Sequence, residues 1–304
     1  MSTTPDSPTL SLRCPAKLNL TLAVGPPRPD GLHPIASVMV PLDFGDDLHL
    51  RRSRNGSSSF TRRFAVDAPK PQSIDWPIDQ DLIYRAHAML EQANGPNGKP
   101  LPVECELVKR IPAGAGLGGG SSNAASMLIG LRQLFGLPVS DDSLLTMAEQ
   151  LGADVAFSLH ALLGTPAALV TGIGEVIEPL SNVPAFDCVL IFPDGNCPTG
   201  AVYRAFDESL DERTEIAPEL IRSWRAGAEI PPPRNDLAAA ASHVCPEIGD
   251  TIRAIQSQQL KPRLTGSGSV LFVIPESQEQ AIAIAKRFTG MGLNVCTTRR
   301  LTAG

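Results

Sequence analysis

A glycine-rich segment at residues 112–125 constrains the fold of this 304-residue chain more than any other feature. It reads Pro-Ala-Gly-Ala-Gly-Leu-Gly-Gly-Gly-Ser-Ser-Asn-Ala-Ala. Five glycines leave the backbone free for positive φ angles and place no side chains in the path of a ligand. When a helix follows such a loop, the N–H groups of both attract an anion. The segment therefore predicts a phosphate site and favours a nucleotide as the ligand.

The flanking residues predict a strand before the loop and a helix after it. Apolar residues alternate with glutamates over residues 103–107, which is typical of a half-exposed strand. After the loop, apolar residues recur at steps of three and four from Ala124 to Phe135, which predicts an amphipathic helix. Gly136 and Pro138 predict where that helix ends.

Two familiar phosphate loops fit this segment poorly. The Gly-Lys-Ser/Thr ending of a Walker A loop is absent from the sequence. A dinucleotide fingerprint matches Gly114, Gly116 and Gly119, but a buried parallel strand before it should be continuously apolar. The acidic residue expected at the end of a second strand is also missing. A loop of five glycines without a ligand is disfavoured because ordering it costs much entropy.

Composition limits the class of protein. A hydrophobic fraction of 42% and a charged fraction of 19% are typical of a soluble globular protein, and the length allows two domains. The net charge of −6 gives no general attraction to nucleic acid or to anionic membranes. One basic cluster, at residues 51–63, surrounds an Asn-Gly-Ser turn; it favours a solvated hairpin, with an anion patch as the alternative.

The six cysteines form no C-x-x-C pair and do not cluster with histidines, so the sequence predicts no zinc site. Several of them stand in apolar runs, where a reduced thiol acts as a small hydrophobic side chain. This usage predicts a cytoplasmic protein.

Three other places carry candidate chemistry. Lys17 and Asn19 share one face of a predicted strand, as solvent-facing residues or as part of a site. Asp154 follows a glycine helix stop, where it caps the next helix or, beside a cation such as Lys17, accepts a hydroxyl proton. Residues 264–269 form a second glycine loop, which is a tight turn or a backbone contact to a ligand.

The lysine-bearing strand, the central loop and a late Thr-Gly-Ser-Gly motif resemble the GHMP kinase superfamily. Further motifs are similar to the member that phosphorylates a cytidine diphosphate-linked methylerythritol. These motifs lie at residues 15–20, 30–33, 151–155, 171–175, 198–203 and 235–237.

The resemblance implies a two-domain α+β kinase with its active site in the cleft between the domains. Residues 1–178 would form an ATP-binding domain like domain 2 of ribosomal protein S5, and residues 179–304 a ferredoxin-like domain. ATP and Mg²⁺ would be required, and the γ-phosphoryl group would pass to the 2-hydroxyl of the substrate. We expect a small-molecule substrate, no nucleic-acid or membrane partner, and a monomer or weak homodimer.

The resemblance also implies residue roles. Asp154 would be the base and Lys17 would orient and polarise the same site. His33 would hydrogen-bond to the edge of cytosine, and Tyr203 would stack on the cytosine ring. Other substrate contacts would come from Asn19, Thr199, Gly266 and Gly268, and a magnesium contact from Ser121 or Ser122. The ATP phosphates would be held by Pro112, Ala113, Gly114, Ala115, Gly116, Leu117, Gly118, Gly119, Gly120, Ser121 and Ser122.

Two positions depart from the family pattern. Leu32 stands where the family has an aromatic residue that stacks on cytosine, which predicts weaker cytidine binding or a compensating aromatic side chain. Ala156 replaces a common proline. Two other hypotheses therefore stay open: a homoserine- or mevalonate-kinase-like enzyme acting on another small alcohol, and a non-catalytic nucleotide-binding protein. The sequence assigns no adenine pocket.

Overall fold

Two β-sheets organise the computed structural model, which describes residues 9–94, 98–165, 167–195, 197–209, 215–226 and 229–302. The strands are β1 (Leu10–Val24), β2 (Ile35–Arg52), β3 (Ser59–Phe64), β4 (Val103–Lys109), β5 (Ala168–Thr171), β6 (Val176–Pro179), β7 (Asp187–Phe192), β8 (Arg263–Leu264), β9 (Leu271–Val273) and β10 (Asn294–Arg299). The α-helices are α1 (Leu82–Ala93), α2 (Gly119–Phe135), α3 (Asp141–Leu151), α4 (Ala153–Leu162), α5 (Thr199–Glu208), α6 (Pro218–Ala226), α7 (Ala238–Val244), α8 (Pro246–Gln256) and α9 (Gln278–Gly290).

The first sheet has the order β3-β4-β2-β5-β6, and β1 pairs with β2 along nearly its whole length. Its pairs are antiparallel with one exception, since β3 and β4 run parallel. The alternating strands of the first half favour an antiparallel α+β sheet, and this expectation was wrong at the β3–β4 edge. Parallel neighbours need a crossover connection, and α1 lies in the chain between β3 and β4.

The predicted hairpin at the basic cluster was also wrong. The strand β4 lies between β2 and β3, so the Asn-Gly turn does not join paired strands. Instead the arginines meet carboxylates of β4: Arg51 Nε lies 2.8 Å from Glu104 Oε2, and Arg63 Nε lies 2.9 Å from Glu106 Oε1. A turn signal reports local backbone geometry and cannot show that a later strand inserts beside β2.

The predicted unit of strand, glycine loop and helix is confirmed by β4 and α2. Alternate side chains of β4 are buried up to Leu107, as the pattern required. Gly136 ends α2 with φ 63°, and its N–H donates to the carbonyl of Arg132. The buried face of α2 packs against Leu48 and Leu50 of β2 in one apolar cluster.

The second sheet has the order β10-β7-β9-β8 and is antiparallel throughout. Helices α5–α8 join β7 to β8, and α9 joins β9 to β10. This β-α-β-β-α-β connectivity is ferredoxin-like, and the α+β expectation is confirmed.

The two sheets share one apolar core. Leu18 and Val40 of the first sheet belong to the same buried cluster as Leu190 and Phe272 of the second. The last strand of the first sheet ends at Pro179, and the first strand of the second sheet begins at Asp187. The domain border between residues 178 and 179 stays a proposal. Its outer limits, residues 1 and 304, lie outside the described residues. Within the part of the chain that the structure describes, none of the helices has the length and apolar character needed to span a bilayer.

Candidate active site

A cavity of about 500 Å³ opens where residues from both halves of the chain meet. It is lined by most of the residues that the sequence singled out. These are Lys17, Asn19, Pro112, Ala113, Gly114, Ala115, Gly116, Gly118, Gly119, Gly120, Ser121, Asp154, Thr199, Tyr203 and Gly266. The described lining does not include Leu117, Ser122, His33 or Gly268.

The phosphate loop, residues 112–122, takes the conformation that its glycines permit. Gly114, Gly116 and Gly118 have φ angles of 67°, 74° and 67°. Gly118 is the N-cap of α2, so the loop leads directly into the positive end of that helix. A Cβ atom on Gly118 would lie 2.9 Å from Lys17 Cγ. The missing side chain therefore lets the loop pass close to the lysine.

Lys17 stands between an amide and a carboxylate. Its Nζ donates to Asn19 Oδ1 at 2.7 Å and lies 3.6 Å from Asp154 Oδ2. Asn19 is itself oriented, because its Nδ2 donates to Ser37 Oγ at 2.8 Å. The N-cap of α4 is Gly152, so Asp154 lies in the first turn and is not the capping residue. The arrangement pairs a buried cation with a carboxylate whose side chain is 46% exposed.

The second glycine loop contacts the phosphate loop directly. Thr265 Oγ1 lies 3.2 Å from the Gly116 carbonyl and accepts the Asn19 N–H at 3.0 Å. The N–H of Val270 donates to the Ala115 carbonyl at 3.2 Å. Sequence reasoning singled out the glycines of this motif and missed Thr265, although it stands directly before them. Gly268 faces inward, where a Cβ would meet Ile248 Cδ1 at 3.2 Å.

Tyr203 lines another part of the cavity and packs against His33, which lies outside the described lining. The ring centroids of Tyr203 and His33 are 4.9 Å apart at an interplanar angle of 40°. His33 Nε2 lies 3.0 Å from Asp207 Oδ1. Burial, and then the charge of Asp154, raises the pKa of Tyr203 to about 12, so its hydroxyl stays protonated at neutral pH. Leu32, at the position of the missing aromatic residue, is 49% exposed.

The cavity has further lining residues that sequence analysis did not single out. Trp76, Asp81 and Leu82 come from the segment that leads into α1. Asp81 Oδ2 accepts from Trp76 Nε1 and from Arg62 Nη1, both at 2.9 Å. Trp76, Asp81 and Leu82 lie near one another in the sequence but match no motif, so only the folded chain shows that they line the cavity.

Comparisons with known proteins agree with this architecture. A family model described as the GHMP kinases N terminal domain matches residues 81–161. A relative from Desulfitobacterium hafniense (strain Y51), named 4-diphosphocytidyl-2-C-methyl-D-erythritol kinase, is 35% identical over 95% of both chains. One from Polaromonas naphthalenivorans (strain CJ2) bears the same name and is 37% identical over 85% of this chain and 83% of its own.

Solved structures extend the comparison. A crystal structure of 4-(cytidine 5'-diphospho)-2C-methyl-D-erythritol kinase matches with a TM-score of 0.75 and 32% identity, over 96% of this chain and 99% of the other. A homoserine kinase from Cytophaga hutchinsonii has the same fold, with a TM-score of 0.64, 17% identity, and coverage of 99% and 96%. The chain belongs to the 4-diphosphocytidyl-2-C-methyl-D-erythritol kinase family of GHMP kinases.

Proposed function

We propose that this chain transfers the γ-phosphoryl group of ATP to the 2-hydroxyl of 4-diphosphocytidyl-2-C-methyl-D-erythritol, in the methylerythritol phosphate pathway of isoprenoid biosynthesis. One observation carries the proposal. A single cavity joins a glycine loop at a helix N-terminus, the pair formed by Lys17 and Asp154, and the ring of Tyr203. These are the parts that a phosphate donor, an acceptor hydroxyl and a nucleobase require.

The proposed chemistry uses Asp154 as the proton acceptor. As the 2-hydroxyl oxygen bonds to the γ-phosphorus, its proton passes to Asp154, and the bond from the γ-phosphorus to the bridging oxygen breaks to release ADP. Lys17 lies beside that carboxylate and is held in place by Asn19. Because phosphoryl transfer depends mainly on position and charge, a weak but well-placed base is sufficient.

The phosphate loop is proposed to hold the ATP phosphates through its backbone N–H groups and the positive end of α2. Mg²⁺ would neutralise charge on those phosphates and is commonly bound by one or two protein oxygens together with phosphate. Ser121 lines the cavity and fits that need. Ser122 fits it less well, because its side chain is fully buried and lies outside the described lining.

We propose that the cytosine ring of the substrate lies against Tyr203 and that His33 hydrogen-bonds to the edge of the base. Thr199, the first residue of α5, has its Oγ1 2.9 Å from Ser267 Oγ. We propose that Thr199 and Asn19 both contact the substrate. Gly266 lines the cavity and would contribute backbone contacts. Gly268 is proposed to act by shaping that turn, since its α-carbon faces the core.

The cellular location, the partners and the oligomeric state are proposals as well. All six cysteines are free thiols and five are buried, which supports a cytoplasmic location. The net charge of −6 supports the absence of a nucleic-acid partner. We propose a monomer or weak homodimer, which sedimentation velocity would test.

A coupled ADP-release assay tests the proposed function. The purified protein is supplied with ATP and Mg²⁺ and with the cytidyl substrate, homoserine or mevalonate in parallel. Of the three alcohols, we expect only the cytidyl substrate to be turned over. Turnover only with another alcohol would assign a different GHMP activity, and ATP binding without any turnover would indicate a non-catalytic protein.

A further inference from the structure

One buried carboxylate, that of Asp46 in β2, joins the two segments that flank the phosphate loop. Its Oδ1 accepts hydrogen bonds from the backbone N–H of Arg110 at 2.6 Å and of Ile111 at 2.8 Å, just before the loop. Its Oδ2 accepts from Lys109 Nζ at 2.7 Å and from Asn123 Nδ2 at 3.0 Å, just after the loop. Both ends of the loop are therefore tied to one rigid side chain.

The charge of Asp46 is balanced where it stands. Asp46 is fully buried and Lys109 is 4% exposed, so the ion pair is shielded from water. A lone carboxylate below a triphosphate site would repel the ligand, but Lys109 cancels that repulsion. What Asp46 contributes to the site is therefore the geometry of its four hydrogen bonds.

Asp46 also sets the orientation of the Asn123 amide. A carboxylate only accepts hydrogen bonds, so the amide nitrogen must face Asp46. The amide oxygen, Oδ1, is then the atom left for a ligand. Asn123 lines the cavity, and this buried Oδ1 has no partner among the described residues. A buried acceptor without a partner is costly, which indicates that a ligand donor completes it.

We propose that Asp46 is a positioning residue for ATP. It holds the start of the phosphate loop and the first turns of α2 at the separation that the triphosphate requires. This inference rests on the proposed function, which assigns residues 112–122 to the ATP phosphates.

The test is calorimetric titration of Asp46→Asn with a non-hydrolysable ATP analogue, and separately with the cytidyl substrate. Charge alone predicts tighter ATP binding, because Lys109 would lose its counter-charge. Positioning predicts the opposite, a loss of ATP affinity of about tenfold or more with unchanged affinity for the cytidyl substrate. Unchanged or tighter binding of the analogue would overturn the inference.

Asp47→Asn is the matched control, because Asp47 is the next residue of β2 and pairs with Arg13 and Arg110 side chains instead of the loop backbone. We expect it to bind the ATP analogue like the wild type. The wild-type titration separates the two claims: failure of wild-type protein to bind the analogue would contradict the proposed function, whereas wild-type binding with unchanged affinity in Asp46→Asn would contradict only the Asp46 inference.

A second variant covers the case in which Asp46→Asn does not fold. Asn123→Ala removes the tether between Asp46 and α2, and with it the Oδ1 acceptor that faces the cavity. We expect faster hydrogen exchange at the backbone amides of residues 113–120 in the free protein, where no ligand contact contributes. Wild-type exchange in that segment would contradict the positioning role.

Discussion

The ammonium of Lys17 lies 3.6 Å from the carboxylate of Asp154, and the two side chains differ sharply in exposure. The lysine side chain is 7% exposed and the aspartate side chain 46%. The cation is thus fixed inside the protein, whereas the carboxylate remains open to the cavity. This difference in exposure supports the proposed roles, in which Asp154 accepts the proton of the acceptor hydroxyl and Lys17 is the fixed cation beside Asp154.

Replacing Lys17 should affect turnover far more than folding. In Lys17→Met the apolar stem is kept and the charge beside Asp154 is lost. We expect kcat to fall by about 10²-fold or more, the range for losing a preorganised charge in an active site. Steady-state assays measure kcat, and circular dichroism checks the fold. Lys286→Met, on the exposed face of α9, is the matched control and should retain full activity.

Gly116 should not tolerate a side chain. Its φ is 74°, and a Cβ atom would lie 2.2 Å from the carbonyl oxygen of Thr265. We expect Gly116→Ala to lower the free energy of unfolding by about 1–3 kcal/mol, through backbone strain and the clash with the second glycine loop. Urea denaturation measures the change. Gly120→Ala is the control, since a Cβ there meets only Leu82 Cδ1 at 3.7 Å; equal losses in both variants would refute the explanation.

Tyr203 should govern affinity for the cytidyl substrate. If its ring stacks on cytosine, Tyr203→Ala loses about 1–3 kcal/mol of binding free energy, or roughly 5- to 150-fold in affinity. Tyr203→Phe keeps the ring and should bind the substrate nearly as the wild type does. Calorimetric titration with the cytidyl substrate and with an ATP analogue separates the two sites. A loss confined to ATP affinity would place the nucleobase of the substrate elsewhere.

Local patterns predicted the parts of the molecule that depend on neighbouring residues. The alternation before the phosphate loop and the helical spacing after it placed β4 and α2, because burial of one face imposes those periods. The resemblance supplied the ferredoxin-like half and the catalytic roles of Lys17 and Asp154, whose pairing the residues alone had offered as one alternative.

What could not be predicted depends on long-range packing. The parallel pairing of β3 with β4 requires knowing where α1 returns the chain, which no local signal gives. Thr265 and Asp46 act through hydrogen bonds to residues that are distant in the sequence, so neither carries a periodic signature. The hydrogen bond from Trp76 to Asp81 is local, but the position of both residues at the cavity is visible only in the folded chain.

Acid should weaken one surface cluster. Burial raises the pKa of Asp47, but hydrogen bonds from Arg110 and Arg13 outweigh it and hold the pKa below its ordinary value of 3.8. A carboxyl with a depressed pKa stabilises the fold above its unfolded pKa and loses that contribution as the pH falls through its folded pKa. We expect Asp47→Asn to cost about 1 kcal/mol near neutral pH and progressively less below pH ~4. Urea denaturation at several pH values measures this; a cost that persists at low pH would contradict it.

The central claim is tested most directly by phosphorus NMR of the reaction of ATP with the cytidyl substrate, catalysed by wild-type protein and by Asp154→Asn. With wild-type protein, the account predicts a new phosphorus resonance from a phosphomonoester formed at the 2-oxygen of the substrate. With Asp154→Asn it predicts formation slowed by about 10²- to 10⁴-fold, as for loss of a general base, while calorimetry shows both substrates still bound. Transfer to a different oxygen, or a near-normal rate with Asp154→Asn, would contradict the account.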